Sequence, residues 1–297
     1  MTDDGSTRRV PWNKLKERLR AAGFHPSRRL GQNFLLDENL TRAMVRDAGI
    51  AAGDFVLEIG PGLGFLTLPL LDVGAHVLAV EIDGRLLELL RETVQEEGRP
   101  DGGTFDSLHL DCLAGKHDLA PEVLQALPKE GPWHLVSNLP YSVSAPVLAV
   151  LAGLEHPPAS MSVLVQLEVA ERICAAPCSG AWGPISAKLQ ASYEVERGRT
   201  VGPGMFWPRP KVDSGIAHLR RLPEAPSRAA WHHFSAMVSA LFSRRRQGLG
   251  RVWGDMLGDR DLARQILEEL GIDPKTRAES LPMSQLNSLA ERPEWTA

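Results

Sequence analysis

Three closely spaced glycines follow an apolar segment that is typical of a buried β-strand. The apolar segment covers residues 54–59, the glycines stand at 60, 62 and 64, and a helical pattern begins at residue 65. Glycine lets the backbone turn tightly and approach a ligand closely, so strand, glycine-rich loop and helix recur together at ligand sites. This order of segments restricts the chain to folds that pack helices against a sheet.

Further strand patterns alternate with helical ones along most of the chain. They cover residues 76–80, 107–110, 133–136, 162–166, 193–200 and 215–219. Alternation at this spacing predicts a parallel, doubly wound sheet. The last part of the chain has helical patterns at 231–242, 261–270 and 284–290, with no strand pattern between them. We expect an α/β protein with a Rossmann-like sheet and a small all-helical C-terminal domain.

The predicted domain boundaries follow from shifts in composition. Residues 1–27 form a basic N-terminal extension with a short amphipathic helix at 12–22, and residues 28–221 form the α/β domain. A linker with two prolines begins at residue 222, and residues 222–297 form the helical domain.

Composition excludes several classes of protein. The three cysteines cannot build a disulfide framework, and Cys174 and Cys178 lack a matching His or Cys pair, so we expect no metal site. Apolar runs such as 147–152 are too short to span a membrane, and the N-terminus lacks the apolar core of a signal peptide. We therefore expect a cytoplasmic, reduced protein.

The net charge of −4 is unevenly distributed. Residues 1–46 carry +5, residues 47–160 carry −12 and residues 161–297 carry +3. Such asymmetry is found where a nucleic-acid surface is confined to particular segments, although basic side chains also decorate solvated helices.

The tetrapeptide Asn138-Leu139-Pro140-Tyr141 follows the strand pattern at 133–136. Pro140 has no N–H and biases Leu139 toward an extended conformation. The Asn138 side-chain oxygen and the Leu139 carbonyl then point together into a cleft as acceptors, beside the flat ring of Tyr141. Two acceptors and a ring suit an exocyclic aromatic amine such as that of adenine.

Two carboxylates are predicted at the ends of the next two strands after the glycine loop. Glu81 is placed to accept both hydroxyls of a ribose, and Asp111 to contact an adenine amino group. With Gly60 and Gly62 in the loop, this set suits the adenosyl group of S-adenosylmethionine. NAD is the second candidate, disfavoured because Phe65 stands where the dinucleotide fingerprint requires its third glycine.

Several segments together resemble the rRNA adenine N6,N6-dimethyltransferase family. They are residues 30–35, 56–62, 81–83, 138–141 and 206–214, and the likeness continues to about residue 290. The first segment is specific to adenine dimethyltransferases, whereas the glycine loop occurs in many class I methyltransferases. Segment 206–214 and the helical tail favour the small-subunit (16S) rRNA branch over the antibiotic-resistance branch.

The resemblance implies a role for each matching residue. The methionine end of S-adenosylmethionine lies near Asn33 and Leu35, and Asn138 lies beside the methyl group. The catalytic residues are Asn138, Leu139, Pro140, Tyr141 and Phe206, and the cofactor-binding residues are Asn33, Leu35, Gly60, Gly62, Glu81, Asp111 and Asn138. Tyr141 and Phe206 are the predicted sandwich for the target adenine.

The implied function is dimethylation of two adjacent adenosines in the 3′-terminal hairpin of small-subunit rRNA, during ribosome biogenesis. The expected partner is this rRNA or the immature small subunit, and the expected state is a monomer. Phosphate contacts are predicted for Arg28, Arg29, Arg244, Arg245, Arg246 and Arg251.

Residues 244–251, here called the basic turn, depart from the family pattern. Gln247-Gly248 stands where many family members carry Lys-Thr. Two alternative functions stay open: a resistance-type large-subunit rRNA methyltransferase, and a non-catalytic RNA-binding assembly or transcription factor. The 138–141 segment and Glu81 are intact. A non-catalytic binding protein has no need of them, so they disfavour the second alternative.

Overall fold

The computed structural model describes residues 12–21, 23–27, 30–97, 103–115, 118–141 and 143–296. The strands are β1 (Phe34–Leu35), β2 (Phe55–Ile59), β3 (His76–Glu81), β4 (Thr104–His109), β5 (Trp133–Asn138), β6 (Ser160–Gln166), β7 (Tyr193–Val201), β8 (Phe206–Trp207) and β9 (Ser214–Arg221). The α-helices are α1 (Trp12–Ala21), α2 (Glu38–Asp47), α3 (Thr67–Asp72), α4 (Gly84–Glu97), α5 (Pro121–Ala126), α6 (Ser144–Ala152), α7 (Leu167–Ile173), α8 (Pro184–Gln190), α9 (Arg228–Ser243), α10 (Leu249–Leu257), α11 (Arg260–Glu269) and α12 (Met283–Ala290).

Seven strands form one sheet in the order β4-β3-β2-β5-β6-β9-β7. The first five run parallel, as predicted, and β9 is antiparallel to both β6 and β7. The strand order reverses between β2 and β5, which is the place where open α/β sheets bind ligands, outside the carboxyl ends of their strands. The sheet therefore presents one preferred site before any side chain is considered.

The sheet is covered on both faces, which explains the apolar runs that predicted its central strands. Leu57 and Leu135 face one core, in which Trp133 and Leu148 are fully buried. Val56 faces the opposite core. Buried parallel strands read as continuous apolar segments for this reason. At the sheet edge, β4 alternates in exposure and begins at Thr104, three residues before the predicted start.

β1 and β8 form a separate antiparallel pair that the sequence patterns do not predict. Phe34 pairs with Trp207 and Leu35 with Phe206. Two-residue strands are too short to show the period of two on which strand prediction depends. The pair fastens the segment before α2 to the loop between β7 and β9.

The helices after β9 enclose a third core, in which Trp253 is fully buried. Helix α10 is absent from the predicted helical segments because it contains Gly250 and Gly254, and glycine lowers helix propensity. The glycines are required by packing, since a Cβ on Gly250 would lie 2.8 Å from Pro274 Cβ and one on Gly254 would lie 2.9 Å from Arg260 Cγ.

The helical segment packs closely on the rest of the chain. Trp231 of α9 belongs to the core of the sheet, and its Nε1 donates to the Lys188 carbonyl at 3.2 Å. The core of the sheet thus contains residues from both sides of position 222. The predicted domain boundary at that position stays a prediction. Within the described residues, no helix is long and apolar enough to cross a membrane.

Candidate active site

A cleft of about 260 Å³ lies at the carboxyl ends of β2, β3, β4 and β5. It brings together nearly all of the predicted catalytic and cofactor-binding residues. Those that line it are Asn33, Leu35, Gly60, Gly62, Glu81, Asp111, Asn138, Leu139, Pro140 and Tyr141. The carboxyl ends of parallel strands meet at one edge of a sheet, so residues far apart in sequence converge there.

The glycine loop lets three walls of the cleft approach one another. Gly60 and Gly62 have φ angles of +69° and +54°, a region that side chains rarely adopt. A Cβ on Gly62 would lie 2.8 Å from Phe34 Cδ1, and one on Gly60 would lie 3.2 Å from Pro140 Cγ. Any larger residue at position 62 would have to displace the Phe34 ring.

Glu81 is held in a fixed orientation at the end of β3. One carboxylate oxygen accepts from the Gly62 N–H at 3.1 Å and the other from the Asp83 N–H at 3.0 Å. Burial raises the pKa of Glu81, and these two hydrogen bonds act in the opposite direction. Each oxygen keeps a further lone pair, so the carboxylate can accept from two hydroxyls of a diol.

Asp111 is exposed at the end of β4, and its Oδ1 accepts from the Leu113 N–H at 3.0 Å. That bond closes the turn after the strand. Asp111 lines the cleft, and its Oδ2 makes no hydrogen bond within the described part of the chain. Asp111 therefore closes a turn and also offers an acceptor.

Asn138 ends β5, and its Nδ2 donates to the Asn33 carbonyl at 3.2 Å. The bond commits the amino side of the amide to a backbone partner and leaves Oδ1 as the acceptor. Leu139 continues the strand hydrogen bonding, since its N–H donates to the Leu164 carbonyl at 3.0 Å. Leu139 as a whole residue is 1% exposed and its side chain belongs to the core of the sheet, so the group that it can offer to a ligand is its backbone carbonyl.

Tyr141 is anchored across the cleft wall. Its hydroxyl lies 2.8 Å from Oγ of Ser214, a fully buried residue at the start of β9. Burial raises the pKa of Tyr141, so the phenol is neutral at physiological pH. The hydroxyl end of the side chain is therefore held in place, and Tyr141 lines the cleft.

Phe206 does not line the cleft, in contrast to the other predicted catalytic residues. It is 5% exposed and lies in a core with its strand partner Leu35. Its predicted stacking role stays a prediction, because Phe206 would have to leave this core to meet a base. Phe65, a half-buried aromatic residue that the sequence analysis did not select for this role, lines the cleft instead.

Glu58 is a cleft residue that the sequence analysis did not single out. It is 2% exposed, and its Oε2 accepts from the Thr67 hydroxyl at 2.7 Å. The pKa of Glu58 is raised to about 8, chiefly by burial; the Thr67 hydrogen bond opposes the rise and the charge of Glu81 adds to it. A charged residue inside an otherwise apolar strand was the available signal.

The arginines predicted to contact RNA have unequal surroundings. Arg28 and Arg29 lie outside the described residues. Arg244 forms an ion pair with Asp255 at 2.7 Å. Arg245, Arg246 and Arg251 are exposed, and none of them forms an ion pair with another residue that the structure describes. Among the residues it describes, no three His, Cys, Asp or Glu side chains come together as a metal site.

Comparisons with known proteins agree with the resemblance found in the sequence. The sequence model of the family described as "Ribosomal RNA adenine dimethylase" matches residues 23–294. The "Ribosomal RNA small subunit methyltransferase A" of Leifsonia xyli is 41% identical over 283 residues, 94% of this chain and 96% of the relative. The protein of the same name from Thermobifida fusca is 39% identical over 273 residues, 91% of each chain.

Solved structures agree with the predicted α/β fold. The 23S rRNA methyltransferase ErmE has a TM-score of 0.63 at 26% identity, with 87% of this chain and 98% of that chain covered. A dimethyladenosine transferase from Plasmodium falciparum has a TM-score of 0.70 at 21% identity, covering 86% and 95%. The expected methyltransferase sheet is confirmed.

Proposed function

This chain belongs to the ribosomal RNA adenine dimethylase family, and we propose that it dimethylates two adjacent adenosines in the 3′-terminal hairpin of small-subunit rRNA. It is an S-adenosylmethionine-dependent enzyme. The observation that carries the proposal is that Asn138, Leu139 and Glu81 line one cleft.

The residues that line the cleft suit S-adenosylmethionine in the chemistry of their donors and acceptors. Gly60 and Gly62 leave open the space that a Cβ would fill, and Glu81 offers two oriented oxygens for the ribose. Asp111 serves the adenine end and Asn33 and Leu35 the methionine end. When bound, the cofactor would supply a methyl group attached to a sulfonium. The leaving group is the neutral thioether, which departs readily.

The chain contributes acceptors for the two hydrogens of the target amine. The N6 lone pair of adenine is delocalised into the ring, so the nitrogen is a poor nucleophile. The Asn138 oxygen and the Leu139 carbonyl accept one N–H each, which favours a tetrahedral nitrogen with its lone pair directed at the methyl group. Positioning and electrostatic complementarity then account for the rate.

Neither transfer requires a strong base from the protein. The attacked nitrogen becomes strongly acidic once it carries the extra methyl group, and its proton leaves readily. The second transfer uses one fewer hydrogen bond, because one N–H has been replaced. Pro140 gives the turn its rigidity, and Tyr141 provides a ring on which the base stacks, worth about 1–3 kcal/mol.

The target adenine must leave its helical stack to reach the cleft. Phe206 is proposed as the second face of the aromatic sandwich. Phe65 already lines the cleft and is an alternative for that face.

The small-subunit substrate is favoured over a large-subunit one by the relatives. The proteins at 39–41% identity carry small-subunit names, whereas ErmE, named for 23S rRNA, is 26% identical. A non-catalytic role is disfavoured because the cleft keeps the 138–141 segment and Glu81, of which a binding protein has no need.

We also propose how the protein holds its RNA, which partner it meets and where it acts. The exposed arginines of the 244–251 turn hold rRNA phosphates, the partner is the immature small subunit, and the protein acts as a cytoplasmic monomer. Residues 1–27, 28–221 and 222–297 act as the basic extension, the catalytic domain and the RNA-binding domain.

Mass spectrometry of rRNA tests the proposal directly. Purified protein and labelled S-adenosylmethionine are offered immature small subunits and large-subunit rRNA in separate reactions. Dimethyladenosine confined to the small subunit supports the proposal. Label in large-subunit rRNA identifies a resistance-type enzyme, and RNA binding without label in either identifies a non-catalytic assembly factor.

A further inference from the structure

The six residues at positions 208–213 connect β8 to β9 beside the cleft. We propose that Arg209 and Lys211 of this segment, here called the rim segment, bind the phosphodiester backbone of the RNA strand that delivers the target adenine. The inference rests on the proposed function, because it assigns a further contact to the same substrate.

Both ends of the rim segment are attached to residues that line the cleft. Trp207, just before it, pairs with Phe34, and Ser214, just after it, lies within hydrogen-bond distance of the Tyr141 hydroxyl. A second attachment precedes β8, where the Leu36 N–H donates to the Met205 carbonyl at 2.9 Å. The segment is therefore fixed to the cleft and not merely close to it in sequence.

Chain geometry limits how far the two cations lie from these attachments. A residue spans at most about 3.3–3.6 Å, so the Arg209 Cα lies within about 7 Å of the Trp207 Cα. By the same limit the Lys211 Cα lies within about 11 Å of the Ser214 Cα. Both side chains are long enough to reach a phosphate next to a base that occupies the cleft.

The rim cations have no other described task. Arg209 and Lys211 are exposed, and within the described residues neither forms an ion pair or a hydrogen bond. By contrast, Arg85, which follows β3, pairs with Asp83 at 3.5 Å and covers the Phe24 ring. Asp213 is the only acidic residue of the rim segment.

The charge of the cleft wall makes such cations necessary. Strands β2 to β5 belong to the stretch 47–160, which carries −12. Glu81 and Asp111 line the cleft. An RNA strand that enters here meets a repulsive wall, and Arg209 and Lys211 offset that repulsion beside the mouth.

RNA binding measured against salt concentration tests the assignment. The probe is a fluorescently labelled 3′-terminal hairpin of small-subunit rRNA, titrated with wild type, Arg209→Gln, Lys211→Gln and the double variant. The matched control is Lys129→Gln, because Lys129 is exposed before β5, at the opposite edge of the sheet from the cleft. S-adenosylmethionine binding by each variant checks that the cleft is folded.

We expect each rim substitution to reduce the magnitude of the log–log salt slope by about 0.7–0.9, the value for one phosphate contact. The double variant should bind the hairpin about tenfold more weakly, while Lys129→Gln leaves slope and affinity as in the wild type. A structural role alone would weaken binding without changing the slope. The inference is overturned if the rim variants keep the wild-type slope while the wild-type protein methylates immature small subunits. A wild-type protein that transfers no label to those subunits overturns the proposed function instead.

Discussion

Asn138 and Asn33 are joined by a hydrogen bond of 3.2 Å from the Asn138 amide nitrogen to the Asn33 carbonyl, across 105 residues of sequence. The bond determines which atom of the amide faces the cleft, because the nitrogen is already committed. It also connects the predicted catalytic turn to the segment that carries the methionine end of the cofactor site.

Replacement of Asn138 by alanine should separate catalysis from cofactor binding. We expect kcat to fall by about 10²–10³, the usual effect of losing one oriented group that acts on the reacting atoms. The dissociation constant of S-adenosylmethionine should change by less than about tenfold, since one hydrogen bond is involved. Asn287→Ala, at an exposed position of α12, is the control and should retain wild-type turnover. Near-normal kcat in Asn138→Ala would refute the acceptor role.

The glycine loop offers a matched pair of substitutions. Gly62 and Gly131 both have positive φ angles, +54° and +74°, but a Cβ would clash with Phe34 only at Gly62. Alanine should therefore destabilise both variants by about 1–2 kcal/mol through the left-handed backbone. Only Gly62→Ala should lose cofactor affinity, by tenfold or more in a titration. Equal affinity in the two variants would show that the clash is relieved without cost to the cleft.

Glu58 should make the folded protein less stable at alkaline pH. Its pKa is about 8 when folded and 4.5 when unfolded, so between these values the folded state holds a proton that the unfolded state does not. The contribution of Glu58 to the free energy of unfolding is fully present below pH 4.5. It decreases by up to about 1.4 kcal/mol per pH unit as the pH rises through this window, and it is constant above the window.

The Glu58→Gln variant removes this proton while keeping the hydrogen bond with Thr67 available. Chemical denaturation at pH 6 and pH 9 should show a smaller loss of unfolding free energy in the variant than in the wild type. Glu81 faces Glu58 and its pKa is raised in the same direction, so part of the pH dependence should persist. Identical pH profiles would mean that Glu58 is ionised throughout.

The Tyr141 hydroxyl should stabilise the fold more than it aids catalysis. Tyr141→Phe leaves the buried Ser214 oxygen without a partner, which should cost about 1–3 kcal/mol. The double variant Tyr141→Phe, Ser214→Ala should recover much of that loss, as measured in a double-mutant cycle. Because the ring is retained, Tyr141→Phe should keep far more turnover than Tyr141→Ala. Additive losses would show that the two hydroxyls do not interact.

The arginines of the basic turn should contribute unequally to RNA binding. Arg244 is paired with Asp255, whereas Arg246 is exposed and has no ion-pair partner in the described chain. Arg246→Gln should lower the magnitude of the salt slope by about 0.7–0.9, and Arg244→Gln by less. Equal effects would mean that RNA displaces Asp255 from Arg244.

The part of the site that lies at strand ends could be predicted from the sequence. Gly60, Glu81 and Asn138 each follow a buried strand, and parallel strands bring such positions to one edge. The position of Phe206 could not be predicted, because it depends on the two-residue pairing of β1 with β8. The antiparallel placement of β9 between β6 and β7 is likewise set by contacts distant in sequence. Glu58 was visible as a charge in an apolar strand, but only burial beside Glu81 reveals its raised pKa.

The bond between Asn138 and Asn33 also has a consequence for biosynthesis. Asn33 leaves the translating ribosome 105 residues before Asn138 does. At a synthesis rate of about 5–20 residues per second, Asn138 follows Asn33 after several seconds or longer. The interval between Leu35 and its strand partner Phe206 is longer still. The wall that carries the methionine end of the site is thus made first and put in place late. A nascent chain acquires a closed cofactor cleft only when the β8 region has emerged, so a chain that stalls earlier carries no competent enzyme.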